Sequence, residues 1–266
     1  MKQHIALALL LLLQGPGVLA QAPKPGQSAE YPQALVREEQ TVVVNGVTEV
    51  WRLQWAAQPN SYCEPSDTSL TCPCMGFAYG EIGDLYVIRL RNGSEIDRLR
   101  LTPFFQEEPG AAVQRWMPDT DTDFELAQRD DFAALVGKRP IVQVMQLADY
   151  NHDGMATKFY LQTEADPCGK SAGVLVGISK PNPRLHVFGT TSHPGDPLTL
   201  FKWEWDALKG SLRPVTVTDW ECGDHGAGTR TEVHLYWSGD TVDGVRREYT
   251  CPRDNTKPVL INEKPL

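Results

Sequence analysis

Two runs rich in β-branched and aromatic residues, 41–44 and 47–55, are separated by nothing but Asn45-Gly46. No other feature constrains this chain as much. The favoured two-residue hairpin turn needs positive φ at both positions, and Asn followed by Gly tolerates that best. The segment therefore predicts an antiparallel hairpin. A second is expected where 84–90 leads through Arg91-Asn92-Gly93-Ser94 into 96–101. Asn92-Gly93-Ser94 is also a glycosylation sequon, but the turn already accounts for it. Further strand-like runs are 141–147, 158–162, 173–179, 185–189, 214–220, 232–237 and 245–251, with Asp243-Gly244 read as the turn between the last two. Helix start and stop signals mark only 130–138, with Asp130-Asp131 at its start and Gly137 near its end, and 200–208, which precedes Gly210. The 22 Gly and 20 Pro fit a turn-rich chain. The expected fold is mainly β: antiparallel strands and hairpins in a sandwich, barrel or propeller-like arrangement, with one or two short helices. The absence of a visible internal repeat argues against a multi-bladed propeller.

The first residues read as a secretory leader. Met1-Lys2-Gln3-His4 precede an apolar run over 5–13 that is too short for a membrane span and is broken by Gly15 and Pro16. Small residues place cleavage after Ala20 or Ala22, and no later stretch is apolar enough to insert stably in a membrane. The organisation that follows is a signal peptide at 1–20, a flexible arm rich in Pro, Gln, Gly and Ala at 21–40, and a mainly β domain at 41–266, with a subdivision near 105–125 left open. Export to the periplasm or the extracellular space makes disulfides the expected state of Cys63, Cys72, Cys74, Cys168, Cys222 and Cys251. Cys72-Pro73-Cys74 are too close to bridge each other easily, so each is expected to pair elsewhere, with Cys63 the nearest candidate. A zinc or redox pair is the alternative, though no second matched pair is present.

Acidic residues outnumber basic ones 34 to 25, a net charge of −9, and no Lys/Arg cluster stands out. That argues against a phosphate-backbone surface, so no nucleic-acid partner is expected. A protein or glycan partner is compatible with the composition, but no feature identifies one.

One segment has the pattern of an ion loop. Asp149-Tyr150-Asn151-His152-Asp153-Gly154-Met155-Ala156-Thr157 sets oxygen-bearing side chains at alternate positions and then a Gly, as a hard cation requires. The flanks read as strands, not as the helices of an EF-hand, and Tyr160 stands where an EF-hand has its bidentate Glu. With Ala148 in front, the segment resembles the Ala-Asp-x-Asn-x-Asp-Gly core of FG-GAP and VCBS repeats, over about one repeat core. The resemblance implies Asp149, Asn151 and Asp153 as side-chain ligands of calcium and Met155 as a carbonyl ligand. Thr157 stands where the family usually has an acid, so calcium would be held weakly. The alternative is a plain turn, which Asp, Asn and Gly also form without metal.

Asp119-Thr120-Asp121-Thr122-Asp123 alternates in the same way but lacks a Gly and is expected to form a solvated acidic loop. Asp219-Trp220-Glu221-Cys222-Gly223-Asp224-His225-Gly226 gathers two or more acids and a base, with His186 and His193 as further candidates. No nucleophile elbow, zinc-protease helix or phosphate loop is present. The leading expectation is an exported, non-enzymatic β protein with a weak calcium-type loop and a binding or structural role, and no catalytic residue is assigned. The alternative is a secreted hydrolase that uses Glu221, Asp224 and His225.

Overall fold

The computed structural model describes residues 35–63, 76–105, 109–166, 170–223, 226–251 and 257–266. All of them lie in one compact unit, Tyr31–Leu266. The described residues are mainly β. Both Asn-Gly hairpins form as expected. Strands β1 (Val36–Val44) and β2 (Val47–Trp55) meet at the pair Val44 and Val47, with Asn45 at φ 51° and Gly46 at φ 79°. β1 begins at Val36, inside the stretch expected to be an arm. After the short β3 (Asn60–Tyr62) and β4 (Gly80–Gly83), β5 (Leu85–Arg91) turns at Asn92-Gly93 into β6 (Ser94–Arg100), again with positive φ at both turn residues. The first sheet runs β1-β2-β5-β6, and β3-β4 continue into β7 (Ala111–Gln114) as a small second one.

A third sheet occupies the middle of the packing. β8 (Lys158–Asp166) pairs with one edge of β9 (Lys170–Gly177), and the short β10 (His186–Val187) and β11 (Leu200–Phe201) share its other edge. Successive side chains on a strand point to opposite faces, so a strand packed on both sides reads as a continuous apolar run. Val174, Leu175 and Val176 are such a run. Val174 and Val176, with Phe159 and Leu161 of β8, join Trp51, Leu53, Leu85 and Val87 of the first sheet in one core. Leu175 faces the other way, into a second core with Trp205, Leu208, Val233, Leu235 and Val242. That second core is closed by helix α3 (Lys202–Gly210) and by a fourth sheet, β12 (Val215–Trp220), β13 (Thr229–Ser238), β14 (Thr241–Thr250) and β15 (Leu260–Pro265), in that order. Every strand pairing is antiparallel, so the architecture is a stacked β-sandwich with short helices. Gly173 makes the tight layer possible. A Cβ there would lie 2.1 Å from the Leu161 carbonyl oxygen, while its own carbonyl accepts a 2.9 Å hydrogen bond from Trp205 Nε1.

Three expectations are corrected. Residues 141–147 are not a strand. Apart from a single bridge at Ile141, their backbone is held by side chains of β1: the Glu38 carboxylate accepts from the Val144 and Met145 amides at 2.6 and 2.8 Å, and Arg37 donates to the Val142 carbonyl at 2.9 Å. Asp119 to Asp123 is not a solvated loop but the start of α1 (Thr120–Leu126), with Asp119 as its N-cap, accepting from the Thr122 amide. Asp123 is buried and accepts from Tyr79, Arg139 and the Asp119 amide. Helix α2 (Phe132–Val136) follows, inside the 130–138 signal. Asp243-Gly244 lies within β14, and the turn is Gly239-Asp240, with Gly239 at φ 64°. No closed barrel and no membrane-length apolar helix occur among the described residues.

Candidate functional site

The segment with the ion-loop pattern connects the side-chain-held stretch 141–147 to β8. Its ends are pinned by a two-bond bridge between Ala148 and Lys158, at 2.7 and 3.2 Å. Inside the bridge, the Asp149 carboxylate accepts from the amides of Asp153 (3.1 Å) and Gly154 (2.8 Å), so one side chain folds the turn. His152 at φ 56° and Gly154 at φ 83° supply the left-handed residues, and the His152 ring reaches the Leu208 carbonyl at the end of α3. Tyr150 packs into the second core and Met155 into the first, so the loop is anchored at both faces of the central sheet.

The centre of the loop holds a cation that belongs to the chain. Lys158, fully buried, places Nζ 2.7 Å from Asp153 Oδ1, 3.1 Å from the Met155 carbonyl oxygen and 3.7 Å from Asp149 Oδ1. Three of the oxygens expected to take calcium therefore surround an ammonium. Asp153 Oδ1 also accepts from the Met155 amide and Oδ2 from the Lys180 amide. Burial pushes the Asp153 carboxyl up, but Lys158 and these two amides outweigh it and hold the group below the usual carboxylate range. Thr157 Oγ1 donates to the Ile178 carbonyl at 2.9 Å and is buried, so the position where the family has an acid is used to tie the loop to the residue after β9. Asn151 Oδ1 is buried without a hydrogen-bond partner. Among the described residues no group of three or more His, Cys, Asp and Glu side chains converges on one point. With Lys158 in place the donor set does not fit a divalent ion, because its centre is filled.

A second cluster of buried charge was not visible in the sequence reading. Glu204, in the first turn of α3, is fully buried, with Oε2 accepting from the Phe201 amide at 2.7 Å and Oε1 without a hydrogen bond. Asp219, near the end of β12, is buried beside it. Arg246 of β14 reaches toward both, with Nη2 3.9 Å from Glu204 Oε1 and 3.7 Å from Asp219 Oδ2. Burial pushes the Glu204 carboxyl up to about 7, reinforced by the Asp219 charge and opposed by the Phe201 amide and Arg246. The helical period does contain a signal for this residue. Glu204 sits four positions before the buried Leu208 and so shares the face that α3 turns to the core.

Of the residues of the hydrolase alternative, Glu221 alone is described. The Glu221 side chain is 67% exposed, 3.9 Å from Arg230, and Asp224 and His225 lie outside the described residues. His186 bonds the Arg184 carbonyl and stacks near Phe188, while His193 bonds Ser192. Cys222 and Cys251 form a disulfide that ties the end of β12 to the end of β14, and Cys63 is also disulfide-bonded. Cys72, Cys74, Cys168 and the leader lie outside the described residues. No family model matches the chain, and neither a curated protein nor a solved structure shows significant similarity to it.

Proposed function

We propose that this chain is an exported, non-enzymatic β-sandwich protein with a binding role, whose calcium-type loop is braced by the Lys158 ammonium in place of a metal. The placement of its carboxylates carries the non-enzymatic part. Glu221 is exposed and lies 3.9 Å from Arg230, whereas Glu204, whose titration burial raises toward neutral pH, is sealed under the fourth sheet where no substrate reaches it. Export rests on the leader-like N-terminus and is supported by the Cys222–Cys251 bridge. A panel of polysaccharide, peptide and ester substrates tests the reading. Turnover in the parent that disappears in Glu204→Gln or Glu221→Gln establishes the hydrolase instead.

A calcium-loaded loop is the second reading, favoured by the buried, unpartnered Asn151 Oδ1 and by the likeness to FG-GAP and VCBS cores. It requires Lys158 to withdraw and leave Asp149, Asn151, Asp153 and the Met155 carbonyl to the ion. Melting curves separate the two. If the ammonium is the loop's cation, millimolar calcium leaves the parent unmoved and raises the melting temperature of Lys158→Ala, which vacates the centre. Binding to the folded state alone would stabilise by about 2.7 kcal/mol when free calcium is a hundredfold above its dissociation constant. A clear rise in the parent, abolished by Asp153→Ala, decides for calcium.

A further inference from the structure

An imbalance between hydrogen-bond donors and acceptors lies beside the first hairpin, away from the loop. There, a cleft of about 410 Å³ opens between the tip of the β1-β2 hairpin, β6 and residues 183–184. That volume is in the range of small-molecule sites. Two buried carboxylates stand behind it, and their acceptors are already taken. Glu49 Oε1 accepts from Arg89 (3.0 Å) and Arg91 (2.7 Å), and Oε2 from Arg89 (2.9 Å) and Trp51 (3.1 Å). Burial pushes the Glu49 carboxyl up, but these donors outweigh it and hold it below the usual range. Asp97 accepts from the amides of Arg98 and Leu185 and from Arg89. Arg89 is itself buried and makes four hydrogen bonds, the fourth to the Pro183 carbonyl.

The donors at the mouth are not used up. A guanidinium carries five N–H groups. Arg91 makes one hydrogen bond, to Glu49, and its side chain is 42% exposed. Arg184 is 82% exposed, comes no nearer to an acid than 3.7 Å from Asp97 Oδ1, and makes no guanidinium hydrogen bond among the described residues. The one other acid on this stretch of β6, Glu95, is engaged by Arg98 through two hydrogen bonds. Three guanidiniums thus face two carboxylates, which leaves one net positive charge at the cleft in a chain of net charge −9. The remaining walls are aliphatic: Val44, Val47, Ile96 and Pro183, with Val47 and Ile96 each 41% exposed. Fixed positive charge and hydrocarbon in the same cleft match a ligand with a single oxyanion head and an aliphatic body.

We propose that this cleft binds a small amphipathic anion, with its oxyanion head between Arg91 and Arg184 and its aliphatic part against Val47 and Ile96. The inference goes beyond the binding role proposed above by naming a site and a ligand class, and it holds whether or not the chain has an activity elsewhere.

Octanoate is the probe, with acetate as the head-matched and octanol as the tail-matched control, titrated into the mature protein and followed by two-dimensional NMR. The expected result is saturable octanoate binding at least tenfold tighter than either control, with shifts at the Arg91 and Arg184 side chains and the Val47 and Ile96 methyl groups. Arg184→Gln should weaken octanoate at least fivefold. This exposed residue makes no side-chain hydrogen bond, so its replacement leaves the fold intact. Ile96→Ser should weaken octanoate and leave acetate unchanged, and Lys202→Gln, at an exposed position of α3, should alter neither. Octanoate binding no tighter than acetate, binding insensitive to Arg184→Gln, or no saturable binding at millimolar concentration would each overturn the proposal. None of these outcomes bears on the substrate panel, so failure here is distinct from failure of the non-enzymatic reading.

Discussion

The loop around Lys158 and the cluster around Glu204 both bury charge against the central sheet, and they meet the cost in opposite ways. Removing a charge from water is expensive unless close partners replace the solvent. Around Lys158 those partners are dense and short-range: two oxygens within 3.1 Å of Nζ and a third at 3.7 Å. Asp153 gains from the same contacts and is held in its charged form. Around Glu204 the cation in range among the described residues, Arg246, stands 3.9 Å away and is also 3.7 Å from Asp219. There the cheaper answer is a proton, and the Glu204 carboxyl is pushed up to about 7. Dense partnering makes a brace, and sparse partnering makes a group that titrates near neutral pH.

The comparison breaks most readily at Lys158. Lys158→Met keeps most of the side-chain volume but strips Asp149 and Asp153 of their cation. Breaking a buried pair in this way costs about 3–5 kcal/mol, to be read from urea unfolding at neutral pH. A loss below about 1 kcal/mol would show that the ammonium does not hold the loop.

Glu204→Gln comes next, with the opposite sign and a dependence on pH. Below its ordinary value of 4.5 the group is protonated in both states and carries no cost. Between 4.5 and about 7 the unfolded chain releases the proton while the folded chain keeps it, so stability falls as pH rises, and above about 7 the full cost is present. Removing the charge should therefore stabilise the protein at pH 8 by up to about 3 kcal/mol and give no such gain at pH 4. An equal effect at both values would mean that Glu204 is not strained by burial.

Asp153→Asn sharpens the other arm. It should cost about 2 kcal/mol at pH 7, typical of hydrogen bonds to a charged group. Because the folded Asp153 lies below its ordinary value of 3.8, that contribution is present above 3.8 and is lost as acidification passes through the lowered folded value. Unfolding of parent and variant should converge at low pH, while Glu204→Gln diverges from the parent at high pH. The smallest effect is the control. Lys202→Ala, which removes the exposed pair with Asp206, should change stability by less than about 0.5 kcal/mol, because solvent already screens those charges.

How far each feature was legible follows from the range of the interaction behind it. Asn45-Gly46 and Asn92-Gly93 were read correctly because a turn depends on the φ preferences of its own residues. The turn at Asp149 to Thr157 is local for the same reason, since Asp149 folds it through amides only four and five positions away. The occupant of its centre was not read. A lysine that opens a strand has no local signature of burial, and Lys158 is enclosed because Thr157 is tied to Ile178 beyond β9 and Asp153 to Lys180. The stretch 141–147 misled for a related reason. Its composition suits a strand, but its amides meet the Glu38 carboxylate from 106 positions away before they meet a neighbouring strand.

What the sequence determined by itself about this protein is the local grammar: hairpins at Asn-Gly, a mainly antiparallel β fold, short helices and an acidic balance of charge. Tertiary structure alone decided which charges were sealed in, that Lys158 stands where a metal was expected, that Glu204 and Asp219 lie under Arg246, and that Arg91 and Arg184 remain with donors to spare. The physical reason is desolvation. Its cost depends on everything packed around a group, and most of those neighbours are brought there by strands far away in the chain.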